Sequence, residues 1–160
     1  MQIKILTCGG TIDKIYFDAK SEFQVGEPQV ATVLQEAQVG FEFNVQKVLQ
    51  KDSLDMTEED RLLIRNVTET VQEDRVILTH GTDTMVETAK ALKGIPGKTI
   101  VLTGALAPAR FRETDAIFNI GCAVTAVQCL TEGVYIAMNG CIFQPDHVRK
   151  NVEKNCFEKV

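Results

Sequence analysis

No apolar run in this chain of 160 residues approaches the roughly 20 that a membrane-spanning helix needs. No cluster of Lys or Arg is present. A formal net charge of -5 argues against a nucleic-acid partner, which would ask for a basic face. The five cysteines, Cys8, Cys122, Cys129, Cys141 and Cys156, contain no C-x-x-C pair. The two histidines, His80 and His147, do not stand near them at metal-site spacing, so no metal centre is expected. Such an odd, scattered set reads as free thiols that pack as small hydrophobes. The dinucleotide fingerprint G-x-G-x-x-G is missing, and so are internal repeats, linkers and low-complexity stretches. The opening residues, Met1 to Cys8, are too short for a signal peptide and run straight into a motif. They read as a first strand, and the expected location is cytoplasmic.

What is present is the make-up of an ordinary globular domain. The chain is 44% hydrophobic and 24% charged, and its length suits one domain over 1–160. Short β-type runs alternate with helical patterns. Ile3 to Cys8 is a compact apolar run ended by Gly9-Gly10. Residues 12–27 mix turn formers and charges without a period and read as a loop with hairpin content. Pro28 opens a helix whose apolar face is Val30, Val33, Leu34 and Ala37, with Gly40 as its stop. Phe41, Phe43 and Val45 alternate with polar residues at strand period. Thr57 with Asp60 forms a capping box for a helix striped by Leu63, Ile64, Val67 and Val71. Arg75 to Thr79 is a buried strand, and a helix from about Thr84 carries Met85, Ala89 and Leu92 to a stop at Gly94. Lys98 to Thr103 is a strand, roughly 114–130 a long small-residue helix, and Val134 to Met138 a further strand. Val148 to Val160 reads as a polar tail. Strand-helix alternation of this kind predicts an α/β fold, a three-layer α/β/α sandwich with a mainly parallel, flavodoxin-like sheet. Such sheets place their sites at the carboxyl ends of the strands.

The residues able to do chemistry fall at those ends. Gly9-Gly10-Thr11 follows the first strand: two glycines let the backbone turn tightly and approach a ligand, and Thr11 then projects a hydroxyl. By itself the pattern is also that of a plain turn. His80-Gly81-Thr82-Asp83-Thr84 follows another strand and opens a helix, where Thr82 or Thr84 could serve as an N-cap. His80 suits a hydrogen-bonded support of the loop better than a base. A threonine hydroxyl needs a base or relay to act as a nucleophile. Asp83 could accept a proton or orient a lysine, and Lys150 is a candidate for that lysine. With turn N–H groups aimed at an oxyanion, these parts suit acyl transfer. The residues alone name no substrate.

Taken together and in order, the motifs resemble the bacterial-type L-asparaginase family. Gly9-Gly10-Thr11-Ile12 is similar to its first signature, and His80-Gly81-Thr82-Asp83-Thr84-Met85 with Glu87-Thr88 to its second. Asp52-Ser53-Leu54-Asp55-Met56-Thr57 resembles the segment between them. Leu102-Thr103-Gly104-Ala105 with Pro108, Asp115 with Phe118-Asn119, and Met138-Asn139 fit the elements that follow. The resemblance implies hydrolysis of L-asparagine to aspartate and ammonia, with Thr11 as nucleophile and Thr82, Asp83 and Lys150 as a second triad, Lys154 being the fallback lysine. It implies substrate contacts from Gly10, Asp52, Ser53, Gly81, Thr82 and Asp83, with Ser53 on the α-carboxylate and Asp83 on the α-ammonium, and no cofactor. Two departures stand out. Phe23 falls where the family has a loop tyrosine, leaving Tyr16 as the nearby hydroxyl. The C-terminal domain that completes the family's sites is expected to be absent, so a homodimer or dimer of dimers is expected to cover the site. The alternatives are hydrolysis of another small amide, such as glutamine, and a non-catalytic amino-acid-binding or partner subunit.

Overall fold

The computed structural model describes residues 1–17 and 22–160. Five parallel strands form its centre: β1 (Gln2–Gly9), β4 (Glu42–Lys51), β5 (Arg75–Thr79), β6 (Thr99–Thr103) and β7 (Gly133–Met138). A sixth, β8 (Cys141–Phe143), lies antiparallel to β7, giving the order β4-β1-β5-β6-β7-β8. Numbered among the parallel strands alone, this is 2-1-3-4-5, the flavodoxin-like order. Beta-branched and other aliphatic runs make the inner strands buried on both faces, as a parallel sheet covered by helices requires. Along β1, Ile3 and Ile5 face one core while Leu6 and Cys8 face the other.

Four helices supply the outer layers. Val30 and Leu34 of α1 (Val30–Glu36) join Ile120, Ala123 and Val127 of α4 (Ala116–Cys129) on the Ile3 face. Ile64 of α2 (Glu58–Thr70) joins Met85, Ala89 and Leu92 on the Leu6 face, the first two from α3 (Met85–Ala91). The expected Thr57 box is present: Asp60 N donates to Thr57 Oγ1 at 3.3 Å and Thr57 N to Asp60 Oδ2 at 2.9 Å. No helix among the described residues is long and apolar enough to cross a membrane.

Several details differ from the sequence expectation. The residues after the first motif form a hairpin, β2 (Lys14–Phe17) against β3 (Glu22–Val25). Helix α1 ends earlier than Gly40, because Gln38 takes the left-handed conformation at φ 49. On α2 the inward line is Arg61, Ile64 and Thr68, at spacings of three and four, which turns Leu63 outward to 44% exposure. Arg61 buries its stem there and bridges Glu58 at 2.8 Å. The polar tail is a second hairpin, β9 (Val148–Asn151) with β10 (Cys156–Lys159), pinned by the buried Phe157. Its strands are too short and polar to show a period. All five cysteines are free.

Candidate functional site

The two glycines after β1 bring the motif loops together. Gly9 and Gly10 have φ of 89 and 91, in the region that favours glycine. A Cβ on Gly10 would fall 2.3 Å from the Gly81 Cα, and one on Gly81 would fall 2.5 Å from Ser53 Oγ. A Cβ on Gly104 would fall 2.3 Å from the His80 carbonyl oxygen. The loops after β1, β4, β5 and β6 therefore touch where only a missing Cβ allows it. This happens where the strand order reverses, around β1 and β5, the switch point at which such sheets bind ligands.

Each loop is held by its own bonds. Thr11 opens a 3-10 turn over Thr11–Asp13 and is half-buried, while Ile12 and Asp13 behind it are buried. Ala109 N donates to the Ile12 carbonyl at 3.0 Å, tying this turn to the β6–α4 loop. Gly10 N donates to the Lys51 carbonyl at 3.0 Å, so Gly10 serves by close approach and not as a free donor. Asp52 caps the turn Ser53–Asp55 by accepting from Leu54 N at 3.1 Å, and pairs with Lys14 at 2.7 Å. Burial pushes the Asp52 carboxyl up. The Lys14 and Leu54 N–H bonds, with the charges of Lys14 and Lys150, outweigh it and hold the group below the usual carboxylate range. Ser53 is 1% exposed and its hydroxyl is buried without a hydrogen bond among the described residues.

Lys150 reaches Thr82 and Asp83 together: its Nζ donates to Thr82 Oγ1 at 2.8 Å and to Asp83 Oδ1 at 2.7 Å. Thr82 is buried and the Lys150 side chain is 14% exposed, while Asp83 lies exposed at the outer side of the cluster. The Lys150 strand is steadied from behind, where Phe157, paired with Lys150 across the hairpin, donates its N–H to Asn139 Oδ1 at 2.8 Å. Lys154, the fallback, lies exposed in the turn between β9 and β10. His80 is fully buried between the Gly81 carbonyl (Nδ1, 2.7 Å) and the Thr88 hydroxyl (Nε2, 2.9 Å). Burial lowers its pKa to about 4, with the Gly81 bond opposing and the Arg61 charge adding, so it stays neutral and supports the loop. Thr84 makes no side-chain cap bond for α3; its hydroxyl donates to the Ser53 carbonyl at 2.8 Å and joins the second and third motifs.

Of the sequence candidates, Gly10, Thr11, Asp52, Ser53, Gly81, Thr82 and Asp83 thus lie on loops that meet at one end of the sheet, and Lys150 reaches Thr82 and Asp83 there from β9. Tyr16 sits at the rim, 52% exposed, with its ring 5.4 Å from that of Phe23, its partner across the hairpin. Phe23 in turn packs on Phe111 at 5.9 Å. The sequence reading missed Lys14 as partner of Asp52, Thr84 as a bridge to Ser53, and the buried Asp13. These are long-range pairings, which no local pattern announces. Among the described residues no group of three His, Cys, Asp or Glu could hold a metal ion.

Comparison with known proteins bears on the family and the fold. Residues 2–158 match the asparaginase family by its N-terminal part ("Asparaginase, N-terminal"). No curated protein matches the chain, but solved structures do. The thermostable L-asparaginase of Thermococcus kodakarensis is 26% identical with a TM-score of 0.87, over 100% of this chain and 51% of that one. L-asparaginase I of Vibrio cholerae is 25% identical with a TM-score of 0.84, over 99% and 51%. The probable cytoplasmic L-asparaginase of Campylobacter jejuni is 27% identical with a TM-score of 0.82, over 99% and 52%. The chain spans about half the length of these proteins. On the family match and on the fold, the chain belongs to the asparaginase family.

Proposed function

We propose that the chain carries the catalytic centre of an amidohydrolase that converts L-asparagine to L-aspartate and ammonia through an acyl-enzyme on Thr11. The observation that carries the reading is the Lys150–Thr82–Asp83 cluster, with bonds of 2.8 and 2.7 Å, on the loop whose Gly81 touches Gly10 beside Thr11. Thr11 Oγ attacks the side-chain amide carbon and its proton passes to a base, which returns it to the amide nitrogen. The tetrahedral oxyanion then collapses, the C–N bond breaks with loss of ammonia, and water hydrolyses the Thr11 ester to release aspartate and restore the Thr11 hydroxyl. Contact with Lys150 gives Thr82 a route for protons, and Asp83 fixes that ammonium in place. The buried, unpaired Ser53 hydroxyl is a donor available to the substrate α-carboxylate. Asp83, with one oxygen on Lys150, keeps the other for the α-ammonium. Tyr16, next to Phe23, supplies the hydroxyl that Phe23 lacks. No cofactor takes part, and the location we propose is cytoplasmic.

The test is ammonia release across asparagine, glutamine and their D-forms. Release from L-asparagine above all others supports the reading. Release from glutamine alone moves the substrate to another small amide. Binding of asparagine without release points to a binding module, the reading that Phe23 favours. We also propose that two copies associate. Of the small apolar residues of α4, Ala123, Ala126 and Val127 are buried against the sheet and Val124 is half-buried, leaving Gly121 on an uncharged outer face with Ile117 and Phe118. Light scattering at micromolar concentration should report at least a dimer, and a clean monomer would contradict it.

A further inference from the structure

The β2–β3 hairpin is tied at both ends by one residue. Asp13 stands immediately before β2. Its carbonyl accepts from Gly26 N at 2.8 Å, just past β3, and its Oδ1 accepts from Gln29 N at 2.9 Å, at the start of α1. The residue is 2% exposed, and its Oδ2 is buried without a hydrogen bond among the described residues. A carboxylate in that setting is expensive. An amide would accept from Gln29 N equally well in geometry, so what the acid adds is charge. Burial raises the Asp13 carboxyl to about 6, the Gln29 N–H opposing and Glu27 adding to the rise. The charged and titratable groups that act on it are Cys8 on β1 and Glu27, which is itself paired with Lys47 of β4; Lys14, next in sequence, is paired with Asp52. The β6–α4 loop, which reaches Ile12 through Ala109, carries Arg110 beside it.

The hairpin that Asp13 ties down runs past the candidate centre. Lys14 pairs with Asp52, Gln50 Nε2 donates to the Val25 carbonyl at 2.9 Å, and Tyr16 and Phe23 of the hairpin form an aromatic row with Phe111 of the β6–α4 loop. Asp13 also shares its 3-10 turn with Thr11. A shift at Asp13 therefore reaches Thr11 and the hairpin together.

We propose that the Asp13 side chain is a positioning group that sets the β2–β3 hairpin, and with it Lys14 and Tyr16, against the Thr11 turn through the hydrogen bond that its carboxyl oxygen accepts from the Gln29 N–H. The catalytic consequence rests on the amidohydrolase reading; the positioning itself does not.

The chain has no tryptophan, so Phe23→Trp places a single reporter on the hairpin. The measurement is acrylamide quenching and anisotropy of this tryptophan from pH 4.5 to 8. With Asp13 intact, quenching should fall and anisotropy rise on acidification, with a midpoint near 6, because the tied hairpin holds the Asp13 proton more tightly than the released one. Asp13→Asn keeps the acceptor and loses the charge, so it should hold the low-pH signal at every pH. It also discriminates against titration elsewhere, including at His147. Asp13→Ala loses the acceptor and should leave the reporter more exposed at every pH, or unfold, which Asp13→Asn covers. A flat signal with Asp13 present, or the same transition in Asp13→Asn, overturns the proposal. Where ammonia release is measurable, Asp13→Ala should lower kcat/KM by on the order of tenfold near pH 7.5, and Asp13→Asn should not. A reporter that behaves as expected in a protein that releases no ammonia refutes the amidohydrolase reading and leaves the positioning role standing.

Discussion

Replacing Gly10 with alanine tests the convergence of the motif loops without reference to catalysis. The added methyl would lie 2.3 Å from Gly81 Cα and 2.4 Å from Gly81 N, atoms of a backbone that cannot rotate away. The two loops would have to part by more than about 1 Å to restore ordinary contact, and overpacking of this kind costs about 1–3 kcal/mol. The left-handed φ of 91 adds about 1–2 kcal/mol for a residue with a Cβ. The sum, about 2–5 kcal/mol, should lower Tm by roughly 4–20 °C in a domain of this size. Gly94→Ala separates the two contributions, because Gly94 has φ 80 but nothing within 4 Å of its added methyl. Melts followed by circular dichroism should therefore show Gly94→Ala losing a few degrees and Gly10→Ala losing clearly more. Equal losses in the two variants would mean that the Gly10–Gly81 contact does not exist in solution, and the site assembled around it would fall. If the chain is active, the same displacement should lower kcat/KM by on the order of a hundredfold.

Lys150→Met should nearly abolish ammonia release, with about 1–3 kcal/mol lost in stability because the buried Thr82 hydroxyl loses its partner. Thr82→Val should do the same, and the double variant should be no worse than either, as for groups acting as a unit; additive losses would separate them. The pH dependence of stability offers a third check. Asp13 keeps its proton up to about pH 6 in the fold but only to about 3.8 when unfolded, so its contribution falls by about 3 kcal/mol as pH rises through that window. His80 refuses a proton down to about pH 4 in the fold against 6.5 unfolded, so its contribution falls by a similar amount as pH drops. The slopes oppose each other, so Asp13→Asn should make Tm rise with pH between 4.5 and 6.5 more steeply than in the wild type. Parallel curves would show that Asp13 is not buried as described.

The fold was legible wherever burial leaves a pattern. Runs such as Val76-Ile77-Leu78 can only be strands covered on both faces, and the Thr57–Asp60 box announces its helix in four residues. The site was legible for a related reason. Glycine, threonine and aspartate at strand ends have few uses, and four loops carrying them in order narrow those uses to one family. What stayed hidden was settled by tertiary contacts. Thr84 looks like a cap and instead bonds the Ser53 carbonyl 31 residues away. The Val148–Val160 stretch looks like a tail because its strands are short and polar, yet Phe157 and Asn139 hold it in place to present Lys150. Asp13 reads as an ordinary turn aspartate, and only the packing of Gln29 and Gly26 around it reveals a buried charge.

The role given to Thr11 can be read from a covalent intermediate. The chain would be mixed with L-asparagine, quenched in acid within a turnover, digested and analysed by mass spectrometry, with ammonia measured in parallel. An aspartyl ester on the peptide that contains Thr11, absent from Thr11→Val and matched by loss of ammonia release in that variant, is the expected result. Ammonia release from Thr11→Val at the wild-type rate, or an adduct on Thr82 with none on Thr11, would contradict it.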